Sequence, residues 1–136
     1  MKLVIDSNIL VSAYTTEDTS GEHWQNVLDS HQLFISPEIL IEVESTLRHT
    51  GLNLTDKNIR AILLDILDRC ELVRPKAKYD GEIGNEDDRH LADLAKEIAA
   101  DAIVTHDELL RGMKKIESTQ VLSLSQIIGD VASSPD

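Results

Sequence analysis

Short apolar runs alternate along this chain with segments whose apolar residues recur at helical spacing. The runs lie at Lys2–Ile5, Leu33–Ile35, Glu71–Val73, Ala102–Val104 and Gln120–Ser123. Strands that are apolar along their length belong in a sheet covered on both faces. Strands separated by helices point to an α/β domain with parallel pairing and right-handed crossovers. The expected architecture is a three-layer α/β/α sandwich around a central parallel sheet of about five strands, Rossmann-like in outline.

The helical segments are marked by spacing and by caps. Trp24, Val27 and Leu28 fall on one face of a helix within Gly21–Ser30. Ser36-Pro37 is a helix start, since serine caps and proline is tolerated at the first helical position. Ile39, Leu40, Val43 and Leu47 then form an apolar stripe. Thr55–Arg69 carries Ile59, Ile62, Leu63, Ile66 and Leu67 on its inner face. A polar loop from Lys76 to Glu86 leads into a helix from about Asp87 to Ala99. Glu108–Met113 is a short helix, and Ser125 is a candidate cap for a final turn through Ile128.

The length of 136 residues favours one domain. We assign it residues 1–130, with 131–136 as a frayed tail. No run approaches the ~20 apolar residues that span a bilayer. The N-terminus lacks the apolar segment and small-residue cleavage site of a secretory leader. The single cysteine, Cys70, has no internal partner for a disulfide. These features fit a cytoplasmic protein without a membrane role. The net charge of −12 argues against a surface built for bulk attraction to nucleic acid or anionic lipid. It is compatible with plain solubility, and also with a site where metal ions neutralise clustered carboxylates.

In an open parallel sheet, ligands bind beyond the carboxyl ends of the strands. Asp6 ends the first strand, and Asp107 lies three residues beyond Val104. Glu42 is in the second turn of the helix after the second strand, and Asp87 and Asp88 begin the helix after the third. Four segments thus bring acid to one rim. Each acid has a plainer reading. Asp87 or Asp88 stabilises a helix dipole, Asp107 caps a helix, and Glu42 faces solvent. Asp6 is the hardest to explain so, because a carboxylate at the end of a buried strand is costly unless paired. Arg89, His90 and His106 are too few and too scattered in sequence to neutralise the group. A hard divalent cation, Mg²⁺ or Mn²⁺, is the natural partner.

Three stretches, VIDSNIL at 4–10, SPEILIEVESTL at 36–47 and DDRHLADLA…ADAIVTHDELL at 87–110, resemble the PIN domain, a metal-dependent ribonuclease fold. Their spacing is closest to the small single-domain, VapC-type toxins of toxin–antitoxin pairs. The resemblance puts the family's four acids on Asp6, Glu42, Asp88 and Asp107, as catalytic groups and metal ligands. Asn8 accompanies the first acid and Thr105 the last, orienting ligands or waters from just outside. Asp87 is an alternate for Asp88. The resemblance implies cleavage of single-stranded RNA to leave a 5′-phosphate, Mg²⁺ or Mn²⁺ as cofactor, a small antitoxin partner and a homodimer.

The metal would activate a water for in-line attack and offset the charge of the transition state. Two groups of cations are available to RNA phosphates, Arg74 with Lys76 and Lys78, and Arg111 with Lys114 and Lys115; surface solvation is the plainer role of either group alone. Aromatic residues are 3% of the chain, too few for extensive base stacking. Two other readings remain open. One is a PIN-like module that binds RNA or protein without cleaving. The other is a phosphoryl-transfer hydrolase that phosphorylates Asp6, for which no second aspartate stands at Asn8 and no lysine follows a late strand at an obvious phosphate-binding position.

Overall fold

The computed structural model describes residues 1–15, 30–49 and 51–127. The helix expected within Gly21–Ser30 falls almost wholly outside them, as do the tail at 131–136 and the end of the last helical turn. In chain order the elements are β1 (Lys2–Ile5), α1 (Ser7–Thr15), β2 (Gln32–Ile35), α2 (Pro37–His49), α3 (Asp56–Arg69) and β3 (Glu71–Leu72). A 3-10 turn (Glu86–Asp88) then leads into α4 (Arg89–Ile98), β4 (Ala102–Val104), α5 (Glu108–Gly112), β5 (Lys115–Ile116) and β6 (Thr119–Leu122).

The strands form one sheet in the order β3-β2-β1-β4-β6-β5. All neighbours are parallel except β5 and β6. The five expected strands are therefore present and parallel, and a sixth closes the edge as an antiparallel hairpin. That hairpin turns through Glu117 and Ser118, Glu117 with left-handed backbone (φ 56°), and Lys114 just before β5 is left-handed as well (φ 64°). Glu-Ser gives no turn signal of the Asn-Gly kind, and β5 holds a single apolar residue, Ile116.

The strand interiors explain the burial. Leu3, Val4 and Ile5 of β1 and Ala102, Ile103 and Val104 of β4 are wholly enclosed. Helix α1 packs on α2, α2 on α3, and α4 against β1 and β4. Leu91, Ala92, Leu94 and Ala95 form the buried face of α4. Among the described residues no helix is long and apolar enough to cross a membrane.

The helix starts show how local sequence sets local structure. The Ser36 hydroxyl accepts the Ile39 N–H at 3.2 Å, as Ser-Pro suggested. Thr55 and Asn58 cap α3 reciprocally, side chain to backbone in both directions. After β6 the cap is Ser123, not Ser125. Its hydroxyl accepts the Gln126 N–H at 3.2 Å, while the Gln126 side chain accepts the Ser123 N–H at 2.8 Å. The helix expected from Asp87 begins as a 3-10 turn because Asn85, whose side chain accepts the Asp87 N–H, tightens the entry.

The strand order places a switch point in the fold. From β1 the chain builds outward through β2 and β3, then returns to the other side of β1 for β4 and β6. The crevice at such a reversal, beyond the carboxyl ends of the strands, is where open α/β sheets bind ligands. Here it opens between β1 and β4, whose ends are level: Ile5 pairs with Val104, and the Asp6 N–H donates to the Val104 carbonyl at 3.0 Å.

Candidate active site

Asp6 leaves β1 directly into the switch-point crevice, and its carboxylate is held from three sides. Oδ1 accepts the Ser7 N–H at 2.7 Å. Oδ2 accepts the Thr105 hydroxyl at 2.7 Å and the Asn8 side-chain amide at 3.3 Å. The residue is 5% exposed. Burial raises its pKa, and the charge of Glu42 adds to that, against lowering by Thr105, Ser7 and His90.

Thr105 and Asn8 couple the two strand ends. The wholly buried Thr105 donates to Asp6, and its Oγ1 also accepts the Asp107 N–H at 3.0 Å. The Asn8 carbonyl accepts the His106 N–H at 3.2 Å. The segment after β4 is thereby pinned to the segment after β1, although 99 residues separate Asp6 from Thr105.

Asp107 caps α5, accepting the Leu110 N–H at 3.1 Å, so its plainer reading holds. It also faces Asp88. The Asp88 pKa is pushed up to about 6, first by burial, then by the charges of Asp107 and Asp6 and a hydrogen bond with Asp107. Asp88 Oδ2 is buried and has no hydrogen-bond partner. Its neighbour Asp87 points outward and is exposed, so of the two acids the fold turns Asp88 inward.

Glu42 joins the group through a residue that the sequence reading set aside. His90 of α4 lies between α4 and α2, with Nε2 3.3 Å from Glu42 and Nδ1 3.4 Å from Glu38. Its side chain is 14% exposed. Burial alone would lower its pKa, but the Glu42 hydrogen bond and the charges of Glu42, Glu38 and Asp6 outweigh it and raise it. His90 is thus a partner for Glu42 and Glu38, a single imidazole beside several acids, and its raised pKa favours the charged form. The signal available was its position one helical turn along from Glu86, on the same helix entry as Asp88.

The basic residues divide. Arg74 and Lys78 line a groove of about 410 Å³ together with Glu38, Asp93 and His90. Lys76 is exposed, and its backbone N–H donates to Glu97 at 2.6 Å. Arg111, Lys114 and Lys115 line a separate cleft beside the β5–β6 hairpin.

The donor set suits a hard divalent cation. It consists of carboxylate oxygens, one of them buried without a partner among the described residues, and burial together with the charges of Asp107 and Asp6 pushes the Asp88 pKa up. Among the described residues no three acid, imidazole or thiol groups converge closely enough to ligate one ion. That arrangement accords with Mg²⁺, which binds through one or two carboxylates and keeps several waters.

These raised values fix a sign for stability. A group whose pKa is higher folded than unfolded stabilises the fold below its unfolded pKa and loses that contribution as pH rises through the folded value. Asp6, Asp88 and His90 all shift upward. Metal-free protein is therefore expected to lose stability between about pH 4 and 7. The Asp88 shift alone would give ~3 kcal/mol at 1.36 kcal/mol per unit, and solvent screening of this half-exposed group reduces that to about 1 kcal/mol. Urea denaturation in EDTA across that range checks it. Asp88→Asn should flatten the dependence, and a stability that climbs with pH in the wild type is the contrary result.

A parallel sheet with its reversal at β1/β4 and acids gathered at that rim defines an α/β domain with a carboxylate-lined crevice. The chain belongs to the PIN domain family, whose model matches residues 2–109. It is similar in fold to VapBC2 of Rickettsia felis, solved bound to a DNA fragment from its promoter (TM-score 0.66, 18% identity, covering 90% of this chain and 98% of that one). It is also similar to PAE2754 of Pyrobaculum aerophilum (TM-score 0.65, 13% identity, 98% and 91% covered). A third is VapBC-1 of nontypeable Haemophilus influenzae (TM-score 0.63, 19% identity, 92% and 99% covered). No curated protein matches the sequence significantly.

Proposed function

We propose that this chain is a metal-dependent endoribonuclease of single-stranded RNA, and the toxin half of a toxin–antitoxin pair. The observation that carries the reading is the electrostatic proximity of Asp88 to Asp107 and Asp6 at the switch point of a PIN-family sheet, with Asp88 Oδ2 buried and without a partner among the described residues. The likeness to two VapBC proteins supports the biological setting and a small antitoxin as partner. A homodimer accords with the same reading.

In this reading Asp6, Asp88 and Asp107 would hold Mg²⁺ or Mn²⁺ directly or through water, with Glu42 beside His90. When bound, the metal would supply an activated water and positive charge for phosphodiester hydrolysis. The protein's own part is positioning. Ser7, Asn8 and Thr105 fix both oxygens of Asp6, so the carboxylate keeps one orientation. Asp107 is held by its role as the α5 cap. His90 holds Glu42 and offsets part of the negative charge that RNA must approach.

A phospho-acceptor role for Asp6 has less support. Both its oxygens are engaged and the residue is buried, which leaves it poorly exposed as a nucleophile. The test of the ribonuclease reading is cleavage of a defined single-stranded RNA in Mn²⁺ or Mg²⁺. The expected products carry 5′-phosphates, and EDTA stops the reaction. RNA left intact by pure protein across millimolar metal overturns it.

A further inference from the structure

Arg48 pairs with Glu44 and Asp56, Arg69 with Asp65, and Arg89 with Glu86. Arg111, Lys114 and Lys115 have no ion pair among the described residues, which is also true of Arg60 and Arg74. What sets the three apart is that they gather around one cleft of about 470 Å³ between α5 and the β5–β6 hairpin. Its other lining residues are Gln120, Val121, Leu122 and Gln126, with no carboxylate among them. In a chain of net charge −12 such a cluster is unexpected. Arg111 Nε is buried there without a hydrogen-bond partner, a donor whose burial is costly unless an acceptor arrives.

The cleft adjoins the acid rim through covalent and hydrogen-bonded neighbours. The Arg111 N–H donates to the Asp107 carbonyl at 3.0 Å, so the two residues stand about one turn of α5 apart, roughly 6 Å along its axis. The Leu122 carbonyl accepts the Thr105 N–H at 3.0 Å, and Thr105 holds Asp6. The Arg111 and Leu122 end of the cleft thus approaches the acid rim, and the cleft runs from there along β6 to Lys115, which pairs with Gln120. The groove near Arg74 and Lys78 has a different character, because Glu38 and Asp93 line it as well.

We propose that this cleft is a phosphate subsite, holding the backbone of single-stranded RNA beside the acid rim through Arg111, Lys114 and Lys115. Guanidinium suits bidentate phosphate recognition and the two ammonium groups act as point charges. The lining has no aromatic side chain, so the cleft reads the backbone and not the bases. The substrate class rests on the ribonuclease reading above; the cleft itself does not. The subsite reconciles an acidic protein with an anionic substrate by confining attraction to one place.

The test uses full-length Asp6→Asn protein, which leaves RNA uncut, and a short fluorescein-labelled oligouridylate read by fluorescence anisotropy in EDTA. Adding Arg111→Gln and Lys115→Gln is expected to weaken binding at least about 10-fold. The log–log salt slope should fall by ~1.4, at about 0.7 per phosphate contact for single strands. Lys114→Asn with Lys115→Gln, confined to exposed side chains, should act in the same direction if Arg111→Gln unfolds the domain. The charge-matched pair Lys57→Gln and Arg60→Gln on α3 should change binding by less than 2-fold. Equal loss in the α3 pair, unchanged binding in both cleft variants, or cleft-dependent capture of an oligoglutamate in preference to RNA overturns the proposal. The two readings fail separately: RNA cut by wild type but bound without the cleft removes the subsite alone, while cleft-dependent binding without any cutting removes only the nuclease.

Discussion

Asp6→Asn is expected to abolish metal-dependent RNA cleavage, by about 100-fold or more, in a protein that remains folded. The substitution is isosteric, and the asparagine carbonyl can still accept the Ser7 N–H that Oδ1 now takes at 2.7 Å. It also removes a buried negative charge whose pKa burial raises, so the fold gives up a destabilising feature. On the proposed function, what is lost is a hard anionic ligand at the rim, and removing its charge would weaken both metal binding and the activation of water. The checks are initial cleavage rates in Mn²⁺ and a thermal melt in EDTA. A melting temperature at or above that of the wild type, with activity gone, is the expected pair of results. Retained activity removes Asp6 from the site.

Thr105→Val should carry the next largest effect, and on two scales. Valine preserves the shape but deletes a hydroxyl that donates to Asp6 and accepts from Asp107. The Asp107 N–H is then left without its acceptor, and Asp6 Oδ2 loses its shortest hydrogen bond. Buried groups stranded in this way cost about 1–3 kcal/mol. Loss of an orienting partner behind a metal ligand typically costs 10–100-fold in metal affinity. Both should appear together, stability in a urea titration in EDTA and affinity in the Mn²⁺ dependence of the melting temperature. Thr105→Ser, which keeps the hydroxyl, should recover most of the affinity. A valine variant with unchanged Mn²⁺ dependence would show that Thr105 is only a packing residue.

The sheet was legible because its central strands are apolar along their length. Leu3-Val4-Ile5 and Ala102-Ile103-Val104 could be placed as buried parallel strands without any knowledge of their partners. The rim position of Asp6, Asp88 and Asp107 followed from the same rule, since every helix after a parallel strand starts on one edge. The sequence could not show which strands lie side by side. That β1 neighbours β4 is a long-range fact, and the Thr105 clamp on Asp6 and the inward turn of Asp88 in preference to Asp87 depend on it. His90 could be named as a candidate cation but not given its partners, for the same reason: Glu38 and Glu42 lie on a helix some fifty residues earlier, brought beside α4 only by the fold. The sixth strand was invisible for a local reason, because two residues with one apolar side chain carry no periodicity.

The two ends of the sheet are its shortest strands. β3 and β5 each contribute two residues, and Pro75 follows close behind β3. An open edge is a template on which a foreign strand can extend the backbone ladder, and short edges with nearby proline remove most of that template. Among the described residues the sheet edges therefore offer few main-chain bonds for docking. A partner that docks on this sheet has little backbone ladder to extend and must rely on side chains, where selectivity is written residue by residue.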